Sequence, residues 1–330
     1  MRGLGRAPER FGQAPRSRYE STEICTSGLL TDPLLRPQNP GMSTSLGTFA
    51  AASAPFGPRI GADLIRVGSI VEAARSQGAG LVVLPETALG GYLRADGTPA
   101  KPLDLDSPEI ARLCEIAGDT VVCAGFTEIA DGVGERPYSS AVCVSGDGIL
   151  GHQRKVHLPP AEIGMFSPGS RFSAFDTPVG RIGMLVCYDK VFPEAARTLA
   201  LDGAEAIASL SAWAMDRFEP ALRLNADRQT RHFNVLDEVR ALENQVVWIS
   251  SNLTGRIGPL RFVGQSKIVD PDGTVVARTG GRAGIAVGEV DLAGSRSASM
   301  ARIAHLADRM AASYQLEPPL PAAPAPAAIA

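Results

Sequence analysis

A cysteine at the end of an apolar run is the residue of this sequence best placed to act as a nucleophile. Cys187 closes the segment 179–187 (VGRIGMLVC), which predicts a buried strand, and Phe192-Pro193-Glu194 then predicts a helix start with proline in the first turn. A thiol between a strand and a helix lies at a sheet edge near helix amides, which favour the thiolate. The alternative is a buried small hydrophobic residue, the usual state of cysteines in apolar runs.

Two charged residues close other strand-like runs. Glu86 follows the run 81–84 (LVVL) and a proline, and Lys155 follows the run 149–154. Burying a charge is costly unless it has a partner, so a glutamate and a lysine that meet at one sheet edge would offset much of that cost. Glu86, Lys155 and Cys187 could therefore form one site. The alternative for each charge alone is a solvated loop side chain.

Histidine is a poor candidate for the base that would activate the thiol. The chain has four histidines, and His157 is the nearest in kind to a catalytic base, although a strand-end histidine is more often exposed or satisfied. The sequence also lacks a Walker loop, a dinucleotide-binding GxGxxG after a strand, a GxSxG elbow and an HExxH motif. We therefore expect the base for Cys187 to be a carboxylate.

Composition argues against several classes of protein. The formal net charge is −3, and Lys and Arg form no basic stripe, so we expect no nucleic-acid partner. Five cysteines without CxxC or Cys/His ligand spacing argue against a disulfide framework and a structural zinc site, and they fit reduced thiols in the cytoplasm. No apolar stretch approaches the roughly 20 residues that a membrane span needs. We expect a soluble cytoplasmic protein with no metal and no cofactor.

Strand-like and helix-like segments alternate along the middle of the chain. Apolar residues from Leu64 to Ala74, Ile65 among them, recur at helical spacing before the run 81–84, and the alternation resumes on both sides of Cys187. Gly/Asp turns at 146–148 and 270–273 predict antiparallel hairpins. Mixed strands covered by helices predict one layered α/β domain over residues 42–315.

The two ends differ in composition from the middle. Residues 1–41 mix Arg, Pro, Gly and Ser without apolar periodicity and lack the apolar region of a signal peptide, and a Pro/Ala-rich tail covers residues 316–330. We expect both segments to be disordered. Met42 directly precedes the first strand-like run, so we predict it as the native translation start.

Three separated motifs resemble those of the nitrilase superfamily of carbon–nitrogen hydrolases. They are LPET (84–87) with Gly91-Tyr92, RKVHLP (154–159), and CYD (187–189) with FPE (192–194), in the order and spacing of the family. The resemblance runs from about residue 46 to residue 292 and includes RALEN (240–244) and GQSKIV (264–269). It implies a four-layer α-β-β-α sandwich with two mixed β-sheets. It also implies a homodimer or higher oligomer joined through helices after the nucleophile and through C-terminal segments.

The resemblance also implies a Glu-Lys-Cys triad. Glu86 corresponds to the general base, Cys187 to the nucleophile that forms a thioester, and Lys155 to the cation that holds the oxyanion. The backbone N–H of Tyr188 is expected to assist Lys155. Glu162 precedes FSPG (166–169) at the distance of a second family glutamate, and we expect it to orient Lys155 or the substrate; the alternative is a loop glutamate in solvent.

Departures from the family pattern bear on the substrate. The sequence CYDK (187–190) lacks the Trp-Glu typical of true nitrilases and the paired arginines of D-amino-acid carbamoylases, which favours a small linear amide or an N-carbamoyl amine over a nitrile. We expect Tyr188, Trp213 and Tyr92 to contact this small-molecule substrate, with an ordinary core position as the alternative for Trp213. Serine at 139, where the family often has asparagine, puts one local hydrogen bond in doubt. Nitrile hydrolysis, acyl transfer to another amine and a non-catalytic ligand-binding relative remain as alternatives.

Overall fold

The computed structural model describes residues 46–93 and 97–316. The helices of this part are α1 (Ile60–Arg75), α2 (Pro108–Ala117), α3 (Pro193–Leu201), α4 (Arg228–Asn244) and α5 (Leu292–Arg302). Its strands are β1 (Gly47–Ala54), β2 (Leu81–Val83), β3 (Val121–Glu128), β4 (Tyr138–Ser145), β5 (Gly148–Arg154), β6 (Phe175–Thr177), β7 (Gly180–Val186), β8 (Ala206–Ser211), β9 (Val247–Ile257), β10 (Leu260–Val263), β11 (Lys267–Val269), β12 (Val275–Arg278) and β13 (Gly284–Val290). The predicted N-terminal extension 1–41, Met42 and residues 317–330 of the predicted tail lie outside the described residues, so the domain bounds stay a prediction.

The strands form a mixed sheet in the order β5-β4-β3-β2-β1-β9-β8-β7-β6. Strands β1, β2 and β3 run parallel, as do β7, β8 and β9, whereas β4 and β5 are antiparallel to their neighbours. A short parallel pairing of β1 with β9 joins the two halves by hydrogen bonds, and there Ser53 pairs with Asn252 and Ala54 with Leu253. The two predicted sheets are therefore the halves of one hydrogen-bonded sheet.

The halves of the sheet pack face to face, and helices cover their outer faces. Alternate residues of β1 belong to different layers: Phe49 and Ala51 pack in the inner cluster with Met184 of β7, while Ala50 and Ala52 pack against α1 and α2. Helices α3 and α4 cover the outer face of β7, β8 and β9. This is the predicted four-layer α-β-β-α sandwich, and β2 (Leu81–Val83) is apolar along its whole length because both of its faces are buried.

Several local predictions are confirmed. Helix α2 begins after Ser107, whose hydroxyl accepts from the amide of Ile110 at 3.4 Å, and the two Gly/Asp turns join β4 to β5 and β11 to β12. The helix predicted from the apolar residues Leu64 to Ala74 is α1, although Ile65 among them is 75% exposed. Ile65 lies two residues before Val67 and so on the opposite side of α1 from the buried stripe that ends at Ala74.

The fold brings several strand ends to one edge of the sandwich. The strands β2, β7 and β8 are parallel within their halves and lead into Glu86, Cys187 and Ala212 respectively. Strand β5 is antiparallel to β4, which is antiparallel to β3, so β5 runs in the direction of β3 and leads into Lys155 at the same edge. Within the described ranges, no helix is both long and apolar enough to cross a membrane.

Candidate active site

Glu86 is placed by a close approach between two backbone segments. It follows β2, its side chain is fully buried, and the next residue, Thr87, has a positive φ of 58°. A Cβ atom at Gly125 of β3 would lie 2.4 Å from the backbone nitrogen of Thr87 and 2.7 Å from the Cα of Glu86. Only glycine lets β3 pass this turn so closely, because any side chain there would displace Glu86.

A buried ionic network joins Glu86, Lys155 and Glu162. The Nζ atom of Lys155 donates to Oε1 of Glu86 at 2.8 Å and to both carboxylate oxygens of Glu162 at 2.9 and 2.8 Å. Exposure of the three side chains is 0%, 0% and 2%. The hydroxyl of Tyr92 donates to Oε1 of Glu162 at 2.7 Å. Four of the predicted site residues therefore meet in one hydrogen-bonded group, and Glu162 is not a solvated loop residue.

Two effects set the pKa values in this network: burial, which disfavours the charged form of each group, and the charges of the neighbouring groups. Burial disfavours the ammonium of Lys155, but the carboxylates of Glu86 and Glu162 outweigh it and raise the pKa of Lys155 well above its usual value. Burial raises the pKa of Glu162 against the opposing charge of Lys155. Burial and the charge of Glu162 also raise the pKa of Tyr92, so its phenol remains a hydrogen-bond donor. Lys155 is therefore a permanent cation at this sheet edge.

Cys187 occupies a strained turn at the end of β7. It is 8% exposed, has a positive φ of 51°, and begins the 3-10 helix Cys187–Val191 that leads towards α3. The buried carboxylate of Asp189 holds this turn: Oδ2 accepts from the amide of Val186 at 3.2 Å, and Oδ1 accepts from the amides of Val156 at 3.2 Å and His157 at 2.8 Å. Asp189 thus ties the cysteine turn to the segment that follows Lys155.

The environment of Cys187 favours the thiol at neutral pH. Burial raises its pKa most, and the charge of Glu86 raises it further. Lys155 and a hydrogen bond from the backbone amide of Ala212 lower it without reversing the shift. A thiol in this setting needs a base to become a nucleophile, and a carboxylate is the group beside it.

The three predicted substrate-contacting residues lie in two places. Tyr188 and Trp213 line a cavity of about 530 Å³, together with residues of α4 such as His232. Tyr92 does not line this cavity and instead contacts Glu162 and the ring of Phe262, whose centroid is 6.1 Å away. Trp213 is partly buried rather than enclosed in the core.

Two further hydrogen bonds hold Glu86 from its other sides, and sequence reasoning predicted neither contact. Its Oε1 atom accepts from Ser139 at 3.1 Å, and Oε2 accepts from the amide of Ala212 at 2.9 Å. Serine at 139, where the sequence departs from the family pattern, therefore donates directly to Glu86. His157 pairs with Asp189 through Nδ1 at 2.9 Å and stacks on Phe192 with centroids 3.7 Å apart, so it supports the cysteine turn.

Comparisons with known proteins give the same family as the motifs. Residues 51–300 match the family model of the carbon-nitrogen hydrolases. The chain is 33% identical over 230 residues to a nitrilase of Pyrococcus abyssi, an alignment that covers 68% of this chain and 81% of that protein. It is 31% identical over 232 residues to the N-carbamoylputrescine amidase of Solanum tuberosum, covering 64% and 74% of the two chains.

A solved structure shares the fold. The carbon-nitrogen hydrolase of Helicobacter pylori G27 aligns with a TM-score of 0.71 at 24% identity, over 82% of this chain and 97% of that chain. The motifs, the four-layer sandwich and the family model thus agree. The chain belongs to the carbon-nitrogen hydrolase family, the nitrilase superfamily, and is an enzyme of that class.

Proposed function

We propose that this enzyme hydrolyses a small linear amide or an N-carbamoyl amine through a thioester on Cys187. The observation that carries the proposal is the buried contact of Lys155 with Glu86 and Glu162, beside a thiol whose pKa is influenced by both Glu86 and Lys155. Three ionisable groups with such small exposure are costly to bury, and a site of covalent catalysis is where such groups cluster.

Glu86 is the general base in this proposal. It takes the proton of the Cys187 thiol while the sulfur attacks the amide carbon, so an S–C bond forms and the carbonyl double bond opens to an oxyanion. The hydrogen bonds from Ser139 and Ala212 fix the direction of the Glu86 carboxylate. Because burial keeps the thiol protonated before attack, the rate depends on this proton transfer.

Lys155 stabilises the oxyanion, assisted by the backbone N–H of Tyr188. The raised pKa of Lys155 keeps its charge throughout the reaction, and a cation in a site of low dielectric stabilises developing negative charge strongly. Glu162 orients the ammonium through two short contacts, and Tyr92 in turn holds Glu162. Glu162 and Tyr92 are positioning residues in this scheme.

The second half of the reaction returns the enzyme to its starting state. The C–N bond breaks as Glu86 gives its proton to the departing nitrogen, and ammonia or an amine leaves. Water then attacks the thioester while Glu86 takes its proton, the S–C bond breaks, and the acid leaves as Cys187 regains a proton. These steps need no oxidant, reductant or metal.

The cavity lined by Tyr188 and Trp213 is the proposed substrate pocket. Its volume of about 530 Å³ suits a small molecule, and it adjoins the turn that carries Cys187. Tyr92, which was expected to contact substrate, acts instead through Glu162 in this proposal. The N-carbamoylputrescine amidase among the relatives supports a carbamoyl amine as one substrate class.

We also propose a homodimer that uses α4. This helix follows the nucleophile in sequence and exposes Val235, Val239 and Leu242, which are 48%, 39% and 43% accessible and lie at i, i+4 and i+7 on one face. Val239→Glu should yield a monomer in light scattering, whereas Ile65→Glu on the exposed face of α1 should stay dimeric. A wild-type protein that is monomeric at micromolar concentration would contradict the proposed dimer.

An ammonia-release screen tests the proposed activity. Linear amides, N-carbamoyl amines and nitriles are offered to the wild type, to Cys187→Ala and to the matched control Cys114→Ala, whose cysteine lies on α2 away from the site. We expect release from amides or carbamoyl amines by the wild type and the control, and none by Cys187→Ala. Release from nitriles alone would replace this function with nitrile hydrolysis, and equal rates for Cys187→Ala and the wild type would refute the mechanism.

A further inference from the structure

A second group of buried charges lies behind the nucleophile turn. Lys190, Asp237 and Lys267 come from the 3-10 helix after Cys187, from α4 and from β11, and their side chains are at most 1% exposed. The Nζ atoms of Lys190 and Lys267 donate to the two different carboxylate oxygens of Asp237, at 2.8 and 2.5 Å. We call these three residues the lysine–aspartate cluster.

Aromatic side chains enclose the cluster. The ring centroid of Phe233 lies 3.3 Å from Nζ of Lys190 and 4.3 Å from Nζ of Lys267, which places both ammonium groups on its π face. The indole N–H of Trp248 donates to Oδ1 of Asp237 at 2.9 Å, and the ring of Trp213 lies 5.2 Å from Nζ of Lys190. The chain has two tryptophans, and both contact the cluster.

The charges of the two buried groups are opposite in sign. Two carboxylates and one ammonium give the network of Glu86, Glu162 and Lys155 a formal charge of −1, whereas two ammoniums and one carboxylate give the cluster a formal charge of +1. A buried excess charge is costly in isolation, and an adjacent opposite charge offsets part of that cost. Part of the cluster's excess positive charge is carried by Lys190, which belongs to the same 3-10 helix as the thiol.

Other charged groups around Lys190 already have partners of their own. On its own turn, Asp189 is bonded to His157. On α4, Arg240 donates to the backbone carbonyl of Lys190 at 2.9 Å and pairs with Glu243. None of these groups neutralises the excess positive charge of the cluster.

The cluster and the nucleophile act on each other electrostatically. Lys190 lies three residues after Cys187 in one turn, and negative charge on Cys187 raises the pKa of Lys190. The effect is reciprocal, so the ammonium of Lys190 favours the thiolate of Cys187. Burial, opposed by Asp237, lowers the pKa of Lys190 to about 8, so this charge is present at neutral pH and is lost above pH 8.

We propose that the lysine–aspartate cluster is a counter-charge for the active site, and that Lys190 is a positioning residue whose ammonium stabilises the anionic form of Cys187. This role rests on the proposed function, in which Cys187 becomes a thiolate during attack. It predicts that the rise of Cys187 reactivity with pH flattens above pH 8, where Lys190 loses its proton. Asp237 holds the ammonium of Lys190 through a hydrogen bond. Lys267 supplies the second positive charge, which gives the cluster its net charge of +1.

The test measures the reactivity of Cys187 without a substrate. The rate of iodoacetamide labelling at Cys187 is followed by peptide mass spectrometry at pH 7 in the wild type, Lys190→Met and the control Lys101→Met, whose lysine is 69% exposed. We expect labelling about tenfold slower in Lys190→Met, the effect of one pKa unit, and no change in Lys101→Met. Tryptophan fluorescence should titrate near pH 8 in the wild type and lose this transition in Lys190→Met.

Charge-conserving variants separate the electrostatic role from a structural one. The double variant Lys190→Met with Asp237→Asn leaves Lys267 as the one charged residue of the cluster. The net charge of the cluster stays +1, and the rate of Cys187 labelling should recover at least partly. Lys267→Met removes the same unit of charge from the other side of Asp237 and should slow labelling even if Lys190→Met does not fold.

The labelling rates of variants that fold decide whether the counter-charge role is correct. If Lys190→Met and Lys267→Met both have wild-type circular dichroism and wild-type labelling rates, the counter-charge role is wrong while the proposed hydrolysis still stands. Lysine-dependent labelling in a wild type that releases no ammonia from any linear amide or N-carbamoyl amine would support the cluster and overturn the proposed function.

Discussion

Replacing Lys155 with methionine isolates the contribution of the buried cation. Methionine fills a similar volume but lacks the ammonium that contacts Glu86 at 2.8 Å and Glu162 at 2.8 and 2.9 Å. Both carboxylates are almost fully buried and would then face each other without the ammonium that contacts both of them. Because breaking a buried ion pair strands its partner, we expect the free energy of unfolding to fall by about 3–5 kcal/mol at pH 7.

The pH dependence of Lys155→Met has a definite sign. Without Lys155, the repulsion between Glu86 and Glu162 and their burial raise the carboxyl pKa values above those of the unfolded chain. Stability from a group with a raised pKa is present at low pH and is lost as the pH rises through the folded-state value. Lys155→Met should therefore be more stable near pH 5 than near pH 8. In the wild type, the raised pKa of Lys155 places the corresponding loss above the ordinary lysine pKa of about 10.5.

Urea unfolding at pH 5, 7 and 8 measures this effect. The control Lys101→Met removes an exposed lysine that pairs with Glu109 at 3.6 Å, and it should change stability by less than about 1 kcal/mol at every pH. The double variant Lys155→Met with Glu162→Gln removes one stranded charge and should recover part of the loss. If Lys155→Met unfolds at the wild-type urea midpoint at pH 7 and pH 8, the buried charges do not interact as described.

Three smaller perturbations test the supports of the site. Tyr92→Phe removes the 2.7 Å hydrogen bond to Glu162 and should lower stability by about 1.5–3 kcal/mol, measured by urea unfolding. Gly125→Ala places a Cβ atom 2.4 Å from the Thr87 nitrogen and should reduce both the melting temperature and the rate of ammonia release, whereas unchanged rates would show that the turn can yield. Asp227→Ala removes the cap that accepts from the second and third amides of α4 and should lower stability by about 0.5–2 kcal/mol in thermal unfolding.

The sequence predicts well what local patterns and short motifs encode. Apolar runs that end in Glu86, Lys155 and Cys187 predicted strand ends, and the structure places all three at the same edge of the sandwich. Strand periodicity also separates the layers, since alternate residues of β1 face different clusters. Helical periodicity marked the helix but not every buried position, because Ile65 is apolar yet exposed, two residues before the buried Val67.

The parts of the site that were missed depend on tertiary contacts. The amide of Ala212 reaches Glu86 from 126 positions away, and no local pattern marks it. Ser139 was singled out as a departure from the family pattern, but its contact with Glu86, 53 positions away, was not predicted. The lysine–aspartate cluster is similar: Lys267 sits in a short apolar strand where a charged residue is unexpected, and its partner Asp237 lies 30 residues earlier. A lysine within a strand-like run is the one local signal that could have indicated a buried ion pair.

Trapping the acyl-enzyme tests the central claim most directly. The wild type is mixed with an amide substrate found by the ammonia-release screen, quenched in acid during turnover, and analysed by intact-mass and peptide mass spectrometry. The account predicts an adduct with the mass of the acyl group on the peptide that contains Cys187, and no adduct in Cys187→Ala. Turnover by Cys187→Ala at the wild-type rate, or an acyl adduct on a different residue, would contradict it.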